Sequence, residues 1–123
     1  MALTIQNIAQ ELSSLSNINP FCENNVFIFE LDSTTCLVLE SHNEKLYASL
    51  CYKVGSEDTK KAIMIRLLKL LHPAKMTHFF CNTFLLEDFI VISVYGSFQE
   101  LQPKIIYQFQ SLAVKCLNKA KGR

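Results

Sequence analysis

Glycine is scarce in this chain, with only three among 123 residues. Gly55, Gly96 and Gly122 can build neither a G-x-G-x-x-G turn nor a Walker-type loop, so the sequence carries no nucleotide-binding fingerprint. Tryptophan is absent and proline occurs three times. No uninterrupted apolar stretch approaches the roughly 18 residues of a membrane span, and the N-terminus lacks a basic segment leading into an apolar one. An excess of one charge is missing too. The formal net charge is +1, so nothing in the bulk electrostatics favours nucleic acid, an acidic membrane or an acidic substrate. The expectation is a soluble cytoplasmic protein with no nucleic-acid partner and no membrane insertion.

Paired cysteine motifs are also lacking. The five cysteines (Cys22, Cys36, Cys51, Cys81, Cys116) are odd in number, widely spaced and without a C-x-x-C. Most sit in apolar runs, which reads as small core residues kept reduced. His78 and Cys81 fall three apart in an expected strand and so on opposite faces, while His42 sits in a turn and His72 at a helix end. No metal site, cofactor site or catalytic set is expected. A thiol nucleophile at Cys51 or Cys81 would need a histidine brought close by the fold, and slow, uniform reaction of buried thiols is the expectation instead.

Apolar residues are plentiful. Half the chain is hydrophobic and 19% is charged, with nine Phe and four Tyr, the composition of a single globular domain over 1–123. Ile5, Ile8, Leu12 and Leu15 recur at helical spacing and predict an amphipathic helix over residues 3–17. The Asn-rich, Pro-containing stretch Asn17 to Asn25 reads as a loop. Val26 to Leu31 is nearly all apolar and predicts a strand covered on both faces. Thr35 to Glu40 and the alternating Lys45 to Val54 complete an antiparallel meander. Gly55-Ser56-Glu57-Asp58 supplies N-cap chemistry for a helix over Thr59 to His72. That helix is apolar around most of its circumference, which points to a subunit interface. Met76 to Asn82 and Asp88 to Tyr95 are two more strands, and Ser97 to about Lys121 is a closing helix. Its basic end (Lys115, Lys119, Lys121, Arg123) complements the helix dipole.

The order α-β-β-β-α-β-β-α defines an α+β fold, a mostly antiparallel twisted sheet with helices packed against it. This order, with N-V-F-I-F-E-L-D and C-L-V-L-E as first strands, L-Y-A-S-L-C-Y-K-V-G-S-E-D leading into the central helix, and F-I-V-I-S-V-Y-G before the last, resembles the class I type III secretion chaperones (the Tir-chaperone family) over residues 3–120. The resemblance implies an ATP-independent cytosolic dimer of a Gram-negative bacterium, not an enzyme. It would hold the non-globular N-terminal segment of a secreted effector or translocator. It further implies a homodimer, or a heterodimer with a related chaperone, through Ile63, Met64, Leu67, Leu68 and Leu71. The client would meet Ile5, Ile8, Leu12, Phe27, Phe29, Leu37 and Leu39. The near-neutral charge departs from that family's acidic character. The alternative is a small dimeric scaffold of the roadblock or longin type, which would place two strands before the central helix in the roadblock case.

Overall fold

The computed structural model describes residues 4–71 and 81–122. The elements run α1 (Ile5–Ser16), β1 (Phe21–Glu23), β2 (Val26–Glu30), β3 (Thr35–His42), β4 (Lys45–Lys53), α2 (Glu57–Leu70), β5 (Asn82–Leu86), β6 (Phe89–Gly96) and α3 (Pro103–Ala120). The six strands form one sheet in the order β1-β2-β3-β4-β6-β5, every neighbouring pair antiparallel. The α+β class is as expected from the sequence. Four strands precede α2, so the two-strand order of the roadblock reading is not the order seen.

The additional strand is β1, which lies where a loop was expected. Asn24 and Asn25 both take positive φ (53° and 61°). Two successive left-handed residues make the primed two-residue turn whose twist matches a hairpin, and asparagine tolerates that region. Phe21 to Glu23 therefore folds back onto β2 in register, with Cys22 opposite Phe27. Asn43 and Glu44 repeat the device between β3 and β4. The expected strand Met76–Asn82 lies almost wholly outside the described residues. Within them the strand runs Asn82–Leu86, closed onto β6 by a turn in which Glu87 takes positive φ.

Helix ends follow local chemistry. Thr4 caps α1 by accepting the Asn7 N–H, with the Asn7 side chain returning to the Thr4 backbone, and Asn17 ends the helix in the left-handed region. Ser56 caps α2, with Glu57 and Asp58 in its first turn, so the helix opens two residues earlier than expected. α3 opens later. Pro103 disfavours helical backbone in the residue before it, and Gln102 is extended (φ −71°, ψ 159°), so Pro103 becomes the first helical residue.

One face of the sheet carries the core. Phe27, Phe29, Leu37, Leu39, Leu46, Ala48, Leu50, Ile90, Ile92 and Val94 point to it and are buried, following the period-2 alternation that the sequence shows in β4. Over them lie Ile5, Ile8 and Leu12 of α1, Ile106, Phe109, Ala113 and Leu117 of α3, and Ile63 and Leu67 of α2, all in one cluster. α3 is the middle helix, packed against α1 and α2. Arg66 of α2 donates from Nε to the Ala120 carbonyl at 2.6 Å, and the Lys121 ammonium lies 4.4 Å from the Tyr52 ring centre. The C-terminal end of α3 is thus tied to both α2 and β4. The buried Lys60 donates to Glu57 Oε1 at 2.7 Å and to the Glu87 carbonyl at 2.6 Å, joining α2 to the β5–β6 turn.

The opposite sheet face has no helix over it among the described residues. β2 is consequently covered on one side only, with Val26 and Ile28 half-buried. That corrects the expectation of a doubly buried strand. The cysteines are corrected with it. None of the five is fully buried: Cys22 is exposed and the other four are intermediate, Cys81 and Cys116 among them packing against the margin of the core. Cys36 and Cys51 alternate onto the open face, where no second layer covers them among the described residues.

Candidate protein-binding surfaces

Three surfaces combine exposed apolar side chains with unpaired backbone or open space. The first flanks α1. A cavity of about 560 Å³ opens between the outward side of α1 (Gln6, Gln10, Ser13), the Asn19-Pro20 connection and Phe27. A smaller one, about 210 Å³, lies between Ile8 and Glu11 of α1 and Phe98, Gln102 and Pro103. Beside the larger cavity runs β1, one of the two edge strands, whose outer N–H and C=O groups face no neighbouring strand among the described residues. Phe21 on it is 63% exposed and, opposite Ile28, lies on the sheet face away from α1, whereas Cys22 shares the α1 face with Phe27. An open edge with an apolar side chain and an adjacent groove is the geometry that accepts an added extended strand.

The second surface is the open sheet face. Cross-strand partners meet there in rows. Tyr47 and Tyr95 stack with ring centres 5.6 Å apart, and Lys45 sits 5.3 Å from the Tyr95 ring centre. Ser49 donates to Ser93 at 3.0 Å. Cys51 stands between Cys36 and Val91, and Phe84 follows Val91 on β5. The charged groups Glu30, Glu40 and Lys53 lie among these rows.

The third surface is the exposed side of α2; of the β5 side chains, Leu85 pairs with core-facing Ile90 on the helix side of the sheet, while Phe84 and Leu86 lie on its open face. Ile65 and Leu68 are 58% and 51% exposed, and Phe84, Leu85 and Leu86 are exposed as well.

The site residues expected from the sequence distribute unevenly over these surfaces. Ile5, Ile8, Leu12, Phe27, Phe29, Leu37 and Leu39, expected at the client, are all buried core residues. Phe27 and Ile8 alone among them also line the depressions on either side of α1. Among the residues expected at a subunit interface, Ile63 and Leu67 turn inward and join the core, Met64 and Leu71 are half-buried against it, and Leu68 faces outward. Phe21, Phe84, Leu85 and Leu86 were not anticipated. The doublet Asn24-Asn25 was the signal for Phe21, because a primed turn there forces the preceding residues into a strand. The β5 residues had no such marker.

No family model matches the chain, and no curated protein matches it. Solved structures do. A chain of the HopA1–SchA chaperone–effector complex matches with a TM-score of 0.65 at 12% identity, over 96% of this chain and 93% of that one. YbjN from E. coli matches with a TM-score of 0.59 at 9% identity, over 98% and 92%. Agreement over nearly whole chains at such low identity is agreement in fold. The α+β arrangement expected from the likeness to secretion chaperones is therefore one this chain shares with a component of a chaperone–effector complex. No helix among the described residues is long and apolar enough to cross a membrane.

Proposed function

We propose that this protein is an ATP-independent chaperone that binds an extended, non-globular segment of a secreted protein. The reading is carried by the open β1 edge, with exposed Phe21, beside the α1 groove. An extended segment laid along β1 would satisfy that strand's outer N–H and C=O groups and place its alternate side chains against Phe21 on the open face and near Phe27 on the α1 face. The seven buried residues expected at the client would act from behind, setting the position of α1 and β2. The shared fold with a chaperone–effector component supports the same reading. Affinity gained by strand addition needs no catalytic group, which suits a binding protein and not an enzyme. A cytoplasmic, bacterial setting accompanies this reading, as does a dimer formed through the outward side of α2 (Ile65, Leu68) with Met64 and Leu71 at its margin.

Co-purification from the native cell, with mass spectrometry of what stays bound, identifies the client. Hydrogen exchange on the complex should then show new protection in Phe21 to Glu23 and along α1. Phe21→Asp should weaken client binding about tenfold or more with the thermal midpoint nearly unchanged, since an exposed edge residue contributes little to the monomer's core. Unaltered client affinity in Phe21→Asp would remove the β1 edge from the proposal.

A further inference from the structure

Register places two cysteines directly opposite each other on the open face. Cys36 of β3 and Cys51 of β4 are Cα partners. The Lys53 N–H donates to the Thr34 carbonyl at 2.8 Å, which marks that pair as hydrogen-bonded. Alternation then makes Cys36 and Cys51 a hydrogen-bonded pair too, with Cα atoms about 5.5 Å apart. Disulfides span Cα separations of about 4.4–6.8 Å. The Cβ atoms need to close by about 1 Å from ordinary cross-strand spacing to that of a disulfide, a distortion that makes such a bond readily reducible. Cys36, which is partly exposed, also lines a depression of about 210 Å³ with Glu30, Lys53 and Phe89 that a small molecule can enter.

We propose that Cys36 and Cys51 are a redox-active dithiol that closes to an intramolecular disulfide when a peroxide or a low-molecular-weight disulfide reaches the open face. With hydrogen peroxide, the Cys36 thiolate attacks one oxygen and becomes a sulfenic acid as hydroxide leaves and takes up a proton. The Cys51 sulfur then displaces the sulfenic oxygen as a second water, giving one disulfide and two waters from two thiols and one peroxide. With oxidised glutathione, Cys36 forms a mixed disulfide and releases one glutathione thiol, and Cys51 resolves it by releasing the second. The division of labour follows from access, since Cys36 lines the depression and Cys51 is not among its lining residues. The neighbouring Cys51 side chain lowers the Cys36 pKa, against burial and the Glu30 charge. The Cys36 side chain, burial and the Glu40 charge push the Cys51 thiol up. Cys81 and Cys116 form a contrast within the chain, since burial and then Cys116 raise the Cys81 thiol to about 11.

The test is intact-mass analysis and peptide mapping of the reduced full chain after brief exposure to hydrogen peroxide or oxidised glutathione. The expected product has lost two hydrogen atoms and yields a single linked peptide pair containing Cys36 and Cys51, formed within one chain. Cys51→Ser should trap Cys36 as a dimedone-reactive sulfenic acid or a stable glutathione adduct. Cys36→Ser should slow the first oxidation step about tenfold or more. A bridge restricted to Cys81 and Cys116, bridges only between chains, or independent oxidation of all five cysteines would each overturn the proposal. The unsubstituted chain decides the matter even if a variant folds poorly.

Discussion

Neighbouring leucines on α2 give the sharpest test of which way that helix faces. Leu67 has no exposed surface and packs in the core, whereas Leu68 is 51% exposed. Leu67→Ala removes a side chain from a site closed in by neighbouring core groups, and burial of this kind costs about 2–5 kcal/mol when truncated, with about 3 kcal/mol expected here. Leu68→Ala removes side-chain atoms that keep about half their hydration in the monomer. Full burial of a leucine is worth about 1.5–3 kcal/mol, and alanine retains the Cβ, so about 0.5 kcal/mol is expected. For a domain of this size each kcal/mol moves the thermal midpoint by about 3–5 °C, which predicts a fall of about 10–15 °C for Leu67→Ala and about 2 °C for Leu68→Ala. Urea denaturation should agree, with the midpoint displaced and the slope unchanged. A subunit interface on the outward side of α2 adds a signature. Loss of Leu68 would then lower the midpoint more at high protein concentration than at low, because association stabilises by mass action. Equal losses from the two substitutions at dilute, monomeric concentration would refute the orientation of α2, and with it the assignment of Ile65 and Leu68 to an outer face.

The remaining expectations are smaller. Asp32 accepts from the Thr34 N–H at 2.8 Å, the Thr35 N–H at 2.9 Å and the Thr34 hydroxyl at 3.0 Å, and the Thr34 N–H leads in lowering its pKa. A carboxyl with a depressed folded pKa contributes stability above its unfolded value and loses it as pH falls through the folded one. Asp32→Ala should therefore lower the thermal midpoint modestly at neutral pH, the exposed carboxylate being screened by solvent, and the difference from the parent should vanish as the pH falls from the ordinary carboxylate range through the lowered folded pKa. Lys60→Ala removes a buried stem and both hydrogen bonds, leaving the Glu87 carbonyl without its lysine donor. A loss of about 1–3 kcal/mol is expected in denaturant melts, with faster amide exchange in the β5–β6 turn. Gln110 is buried on α3 and its Oε1 has no hydrogen-bond partner among the described residues. Gln110→Leu should thus be neutral or stabilising by about 1 kcal/mol in the same melts.

The parts of the fold that could be read in advance are those where one physical signal dominates. Ile5, Ile8 and Leu12 repeat at helical spacing, and Leu46, Ala48 and Leu50 alternate, so α1 and β4 follow from periodicity alone. β1 stayed hidden because three residues are too few to show a period, and its existence rests on the backbone of Asn24 and Asn25. For α2, composition pointed to an interface without saying which side is free. Position on the helix decides that, since Leu67 joins the core while Leu68 is exposed. The same limit applies to the client surface. Apolar pattern marks Phe29, Leu37 and Leu39 as important, yet alternation drives such residues into the core and leaves the contact surface to residues with weaker signals, such as Phe21. The Cys36–Cys51 juxtaposition depends on strand register, which is a pairwise property that neither sequence segment carries alone.

The order of the strands also has a consequence for how the chain reaches this state. β1 to β4 are joined by short links, two of them two-residue turns, so their pairings close small loops. β6 pairs with β4 only after the intervening chain has been traversed, with Leu50 and Ile92 meeting across roughly forty residues of sequence. The local meander can therefore form first, with the far side of β4 still an unsatisfied ladder. Until the β5–β6 hairpin docks, this strand, which is central in the finished sheet, is an edge. During synthesis or refolding it is the place where one chain is most exposed to pairing with another.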